Sequence, residues 1–217
     1  WPLLVRHLLT HQGGIRSYQG DELQSTKHYR DNMDGVKIFQ NDPLLFEPGT
    51  RVAYSTYGFS LVGAVIEGAS GLDYVDYIRE RVFKPAKMTA TDVDDAYRLI
   101  PRRAHGYHMN ANGTLQNSGL ANTSYKIPGG GLLSCPEDLV RFALAVQTNV
   151  LIRRETVAQM LTQQRLKDGR ITLRRLLEVE RILAAAPESL FKVVVAHHHL
   201  IPPPNFGSAN SLPFSVT

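Results

Sequence analysis

One cysteine, Cys135, and one tryptophan, Trp1, occur in 217 residues. A single thiol closes no internal disulfide and builds no thiolate cage, which excludes a bridge-stapled scaffold and a cysteine-type zinc site. No apolar run reaches the ~18 residues that a membrane-spanning helix requires. Blocks of like charge are missing too: the pairs Arg102/Arg103, Arg153/Arg154 and Arg174/Arg175 are far apart and sit among acidic residues. The formal charge of +4 therefore reads as solvated faces, and no nucleic-acid partner is expected. There is no initiator methionine, and no basic segment leads into an apolar core and a small-residue cleavage site. Trp1-Pro2 runs straight into a helical pattern, so the chain is expected to start inside a domain. Its localisation and redox compartment stay open.

With 43% hydrophobic and 20% charged residues, the composition is that of a globular chain with one sizeable core or two small ones. Leu4, Val5, Leu8 and Leu9 share one helical face that stops at Gly13-Gly14. Residues 16–45 are polar and weakly periodic, which predicts an irregular excursion. "EPGT" at 47–50 is a turn. From Ser55 the residues Leu61, Val62, Val65, Ile66 and Ala69 repeat at helical spacing until Gly71, with Tyr54 at the mouth of that helix. Asp73 can cap a second helix bearing Val75, Ile78, Val82 and Phe83, which must end before Pro85 and should pack on the first. Asn112-Gly113 predicts a hairpin. Ser134 as N-cap, Glu137 three residues on and Pro136 in the first turn predict a capped helix carrying Leu139, Val140, Phe142, Ala143 and Val146. A short helix over about 156–161 follows. The triplet Gly129, Gly130, Gly131 lacks the lysine of a phosphate loop, and His7, His11, His105 and His108 read as surface or core-edge residues.

Four segments, "VRHLLTHQGGI", "FEPGTRVAYSTYGFSLVGAVIEGASG", "YVDYIRERVFKPAKM" and "NTSYKIPGGGLLSCPEDLVRFALA", resemble in that order the serine β-lactamase-like and penicillin-binding-protein-like hydrolases. The likeness covers about residues 3–168 and leans toward class C-like esterases and mitochondrial serine β-lactamase-like proteins. It implies an α+β class: here a mostly helical fragment of the β-lactamase/transpeptidase-like fold, with the sheet domain largely missing. It also implies acyl transfer through a serine acyl-enzyme, a small-molecule lactam, ester or peptide substrate, and neither cofactor nor metal. The family's chemistry uses an S-x-x-K serine and lysine on one helical face, a tyrosine motif, and a K-T-G or H-x-G strand. Of these, Tyr54-Ser55-Thr56 matches the tyrosine motif, with Thr56 where asparagine is commoner. The resemblance thus makes Tyr54 the catalytic candidate and Thr56 the substrate-binding one; read from the residues alone, Tyr54 can equally close the turn.

A phenol with a pKa near ~10 needs neighbouring cations to act as a base, and a helix N-terminus contributes only ~0.3–1 kcal/mol. No S-x-x-K precedes Tyr54. Ser189-x-x-Lys192 lies after the motif and leads into an apolar run, which reads as coincidence, and Thr123-x-x-Lys126 falls in the segment before the glycine triplet. The fragment is therefore expected to be inactive, with a noncatalytic ligand- or partner-binding module as the alternative.

After Gly169 the pattern changes. A charged helix around 172–186 leads to "FKVVVAHHH", an apolar run of strand character, so the expected division is residues 1–169 and an unrelated helix-strand unit over 170–217. This tail resembles a piece of a calcineurin-type metallophosphoesterase. His197 and His199 would share a strand face, but two imidazoles complete no metal site. A fusion, a gene-model error and a chimera are all consistent with the junction.

Overall fold

The computed structural model describes residues 1–119 and 121–170. The helix expected over 172–186, the strand over 191–199, and the residues Ser189, Lys192, His197 and His199 lie outside the described residues. The architecture is mostly helical, with short strand pairings among the described residues.

Its central element is α3 (Thr56–Ser70), a 15-residue helix. The Ser55 hydroxyl accepts from Gly58 N–H at 3.1 Å, satisfying an N-terminal donor, and donates to Arg16 C=O at 2.7 Å. The helix stops at Gly71, whose φ of 70° is the left-handed C-cap that glycine adopts without a Cβ penalty. Around α3 pack α1 (Val5–Leu9), α2 (Asn32–Val36), α4 (Tyr74–Ile78) and α5 (Ile127–Gly130). The Asp73 carboxylate caps α4 by accepting from Val75 and Asp76 N–H. The chain then widens into a π-helical turn, Arg79–Phe83, before Pro85 ends it, and the Glu67 side chain ties α3 to Tyr74 N–H at 3.1 Å.

Two apolar clusters result. Val36, Phe39, Tyr57 and Tyr125 join α2, α3 and a 3-10 turn, Ser124–Lys126. Ile78, Phe83, Ala86, Met88 and Ala145 join the α4 region to α6 (Pro136–Gln147). Of the apolar face expected on α1, Leu8 is buried while Leu4, Val5 and Leu9 stay exposed. β1 (Asp92–Val93) pairs antiparallel with β4 (Leu132–Leu133). β2 (Tyr107–Met109) and β3 (Leu115–Asn117) form the expected hairpin, with Met109 opposite Leu115 and Gly113 at φ 81°. α7 (Arg154–Leu161) begins two residues earlier than its sequence pattern.

Two segments depart from expectation. The first helical bond of α6 runs from Leu139 N–H to Cys135 C=O, so Cys135 is the N-cap and no capping box forms at Ser134. The Ser134 hydroxyl instead bonds the Thr91 hydroxyl at 2.7 Å. Fully buried Asp138 accepts from Ala90 N–H (2.7 Å), the Thr91 hydroxyl (2.9 Å) and Arg141 Nη1 (2.7 Å). Burial opposes its ionisation, but those three donors outweigh it and hold the carboxyl below the ordinary carboxylate range. A tertiary partner has displaced the local cap.

Residues 16–45 are irregular, as expected, yet they are pinned. Buried Arg16 grips both oxygens of Glu22 (2.8 and 3.0 Å), reaches Asp42 through Nε (2.5 Å) and donates to the carbonyls of Ser17 and Ile38. One guanidinium thus serves five acceptors along the loop, and Glu22 Oε2 is further held by Gln19 N–H at 2.8 Å.

Candidate functional site

The turn before Tyr54 is built from short bonds. Thr50 N–H and hydroxyl both donate to Glu47 C=O, at 3.1 and 2.6 Å, and Gly49 sits at φ 86°. Gly49 N–H donates to Gln12 C=O, and Ala53 N–H to His11 C=O, each at 2.9 Å. The far end of the described chain returns to the same turn: Lys167 N–H donates to Gly49 C=O at 2.8 Å, and the Lys167 ammonium pairs with Glu47. A Cβ on residue 49 would come 3.2 Å from the Lys167 side chain and 3.4 Å from His7 Nε2, so glycine serves here for both its φ and its lack of bulk.

His11 holds the next step. Its backbone is left-handed at φ 56°, and its Nδ1 accepts Ser55 N–H at 3.2 Å, which puts the proton of the neutral ring on Nε2. The imidazole packs on the Tyr54 ring, with centroids 4.7 Å apart and planes at 40°, and on Phe59 at 5.4 Å. The sequence reads His11 as a surface or core-edge histidine; its place just before Gln12-Gly13-Gly14 was the available signal. Half-buried Tyr54 is thus seated between a pinned turn and the first turn of α3.

Thr56 is buried. The glycine triplet lies over it: a Cβ on Gly129 would come 2.5 Å from Thr56 Cγ2 and 2.8 Å from Thr56 C=O. A Cβ on Gly63 would meet Pro128 at 2.5 Å. These glycines serve close helix packing, not phosphate binding. Beside Thr56 stands the Tyr18 phenol, which burial pushes up to about 12 while the Thr56 side chain opposes the rise and Tyr54 adds to it. Tyr18 crosses the Tyr57 ring edge-on at 5.1 Å and the Tyr125 ring at 6.0 Å. Tyr57, fully buried, stacks on Phe39 at 4.4 Å and donates its hydroxyl to Glu22 Oε2 at 2.9 Å. Burial, then the Glu22 carboxylate, drives its pKa far above the phenol range. Tyr18 and Tyr57 are therefore neutral donors at physiological pH, and neither is a base.

The Thr123-x-x-Lys126 spacing forms no nucleophile and lysine pair. The Thr123 hydroxyl donates to Asp94 C=O at 2.9 Å, whereas Lys126 Nζ lies over the rings of Tyr18 and Tyr125 at 5.2 and 5.5 Å from their centroids. Among the described residues no serine is followed three places on by lysine. Among the described residues, too, no helix is long and apolar enough to cross a membrane, and no three His, Cys, Asp or Glu side chains group to hold a metal ion.

Residues 2–178, the span that holds the turn, the tyrosine motif, the long helix and the glycine run, match the beta-lactamase family profile. The chain belongs to the beta-lactamase family. It is similar to the human mitochondrial serine beta-lactamase-like protein LACTB, 35% identical over 129 residues, which cover 59% of this chain and 23% of LACTB. It is similar also to penicillin-binding protein 4* of Bacillus subtilis, 32% identical over 181 residues, covering 76% of this chain and 40% of that protein. The chain thus spans a quarter to two fifths of these curated relatives. Among solved structures, a penicillin binding protein from Bacillus halodurans superposes with TM-score 0.63 at 26% identity, over 78% of this chain and 60% of that one. D-amino acid amidase from Ochrobactrum anthropi, complexed with L-phenylalanine, gives 0.60 at 27%, over 70% and 44%. This beta-lactamase-family chain has the β-lactamase/transpeptidase-like α+β fold, seen here mainly through its helical part.

Proposed function

We propose that this chain carries the tyrosine wall of a serine acyl-transfer site and forms no acyl-enzyme alone. The carrying observation is the seat of Tyr54, held between the His11 imidazole and the capped start of α3, with Thr56 wedged under Gly129. In this reading Tyr54 is the base or its relay, and Thr56 shapes the substrate contact of the same helix mouth. Thr56 would act through position, because its side chain is buried. The substrates would be lactams, esters or peptide amides, in keeping with a penicillin-binding relative and an amidase neighbour.

Inactivity follows from charge. His11 cannot supply a cation without losing the bond its Nδ1 accepts from Ser55 N–H. The Lys126 ammonium is placed over ring faces, and a cation there stabilises itself against the π-cloud instead of a phenolate oxygen. The nucleophile and its lysine would come from another segment. Turnover of a chromogenic cephalosporin and of p-nitrophenyl acetate tests this reading: neither rate should exceed that of the Tyr54→Phe variant, and saturable turnover abolished by that substitution would refute it.

A second reading, noncatalytic ligand capture at this wall, is favoured by the half-buried ammonium beside it and predicts saturable binding with no adduct. For the tail, we infer that His197 and His199 form no working metal centre by themselves, since two imidazoles complete no metal site. Metal retained through dialysis, and lost in His197→Ala, would convert its histidines from bystanders into ligands.

A further inference from the structure

His11 keeps a left-handed backbone, φ 56°, two residues before Gly13-Gly14. Glycine would adopt that conformation without steric cost, whereas a histidine is strained in it. Strain retained beside a candidate site points to work done by the side chain. Here the residue reaches both neighbours of Tyr54. The His11 carbonyl accepts Ala53 N–H at 2.9 Å, and the ring Nδ1 accepts Ser55 N–H at 3.2 Å. Tyr54 is thus spanned by two bonds to a single histidine. Between those bonds the imidazole lies on the phenol ring, with centroids 4.7 Å apart, and its other contact is Phe59 in the first turn of α3, at 5.4 Å.

A clamp works only if it is itself fixed. His11 N–H donates to Leu8 C=O at 3.1 Å and Gln12 N–H to His7 C=O at 2.7 Å, which anchors the histidine on the end of α1. Gly49 N–H donates to Gln12 C=O at 2.9 Å and Leu45 N–H to Gly14 C=O at 2.8 Å, so residues 11–14 run along the segment that leads to Tyr54. The approach is close: a Cβ on Gly14 would stand 2.6 Å from Phe46 C=O. Asparagine can match part of this device, since its Oδ1 is as many bonds from Cα as the histidine Nδ1 and it visits the left-handed region readily. It brings an acceptor but no ring. Histidine brings both.

We propose that His11 is the positioning residue of Tyr54: its carbonyl and Nδ1 fix the backbone on either side of the tyrosine, and its ring face sets the rotamer from which the phenol works; this rests on the acyl-transfer reading above. The test is NMR on the whole chain in wild type, His11→Gly and His11→Asn. In wild type a scalar coupling between the Ser55 amide nitrogen and His11 Nδ1 should cross the hydrogen bond, and three-bond couplings to Tyr54 Cγ should report one staggered χ1 rotamer. His11→Gly keeps the backbone conformation and removes both side-chain contacts. It should speed hydrogen exchange of Ser55 N–H about tenfold, the scale of one lost hydrogen bond, and average the Tyr54 couplings. His11→Asn should bring Ser55 N–H back to within a few fold of wild type while the Tyr54 rotamer stays averaged. A general packing role predicts instead that both readouts fall together with the thermal midpoint, with no split between them in His11→Asn. No Ser55–His11 coupling in wild type, a single Tyr54 rotamer in His11→Gly, or a Ser55 N–H no better protected in His11→Asn than in His11→Gly would each overturn the proposal. The wild-type coupling needs no variant, so a substitution that misfolds leaves that arm standing. These readouts use no substrate: turnover abolished by Tyr54→Phe would refute the reading above and leave them unmoved, whereas an unclamped Tyr54 refutes this proposal alone.

Discussion

Gly129→Ala probes the joint between the glycine run and the tyrosine motif. The added Cβ would stand 2.5 Å from Thr56 Cγ2 and 2.8 Å from Thr56 C=O, where van der Waals contact wants ~3.5–4.0 Å. The methyl belongs to a β-branched side chain with few rotamers, and the carbonyl to the first turn of α3. Neither can retreat cheaply. Overpacking of this kind costs about 1–3 kcal/mol. At ~2–4 °C per kcal/mol for a chain of this size, the midpoint of thermal unfolding should fall by roughly 2–12 °C. Thr56→Ser removes the nearer obstruction and leaves the carbonyl, so the double variant should regain part of what Gly129→Ala loses. Circular dichroism melts of wild type, both single variants and the double variant close the cycle. An unchanged midpoint in Gly129→Ala, or strict additivity in the double variant, would show that the triplet does not rest on Thr56.

Other outcomes follow from the same packing. Asp138→Ala should cost about 2–3 kcal/mol in denaturant unfolding, because Ala90 N–H and the Thr91 hydroxyl lose a buried acceptor. The folded-state pKa of Asp138 lies below the unfolded value near ~3.9, so its contribution is complete above that pH and disappears as pH falls through the folded value; Asp138→Asn should flatten the acid limb of the stability profile. Arg16→Met takes the guanidinium from Asp42 and leaves Glu22 only the Tyr57 and Gln19 donors, and should lower stability by about 2–3 kcal/mol, discounted for the partial exposure of both carboxylates. Double-mutant analysis with Glu22→Gln should then recover coupling. Gly71→Ala, at a left-handed C-cap with open space around it, should cost about 1 kcal/mol of backbone strain alone.

Local chemistry was legible where a segment settles its own structure. α3 showed its apolar spacing and its Gly71 stop, and Asn112-Gly113 announced the hairpin of β2 and β3, whereas the Ser55 cap and the strand register came from the structure. Tyr54 and Thr56 were visible through a short motif in a Pro-Gly turn context. What stayed hidden depends on partners far along the chain. The α6 cap moved to Cys135 because Thr91, 43 residues away, claims the Ser134 hydroxyl. Arg16, within the polar and weakly periodic stretch 16–45, closes a loop by reaching Asp42 across 26 residues. The side chain of Thr56 turned inward because Gly129 seats over it, a contact no local pattern encodes. His11 shows its role only once the chain brings Ser55 N–H to its ring.

Intact mass spectrometry of the purified chain after prolonged exposure to a penicillin puts the central claim to its most direct test. With Tyr54 in place and its cationic neighbours supplied from elsewhere, the mass should remain that of the unmodified polypeptide. A stoichiometric acyl adduct mapping to a serine, and missing in Tyr54→Phe, would contradict it.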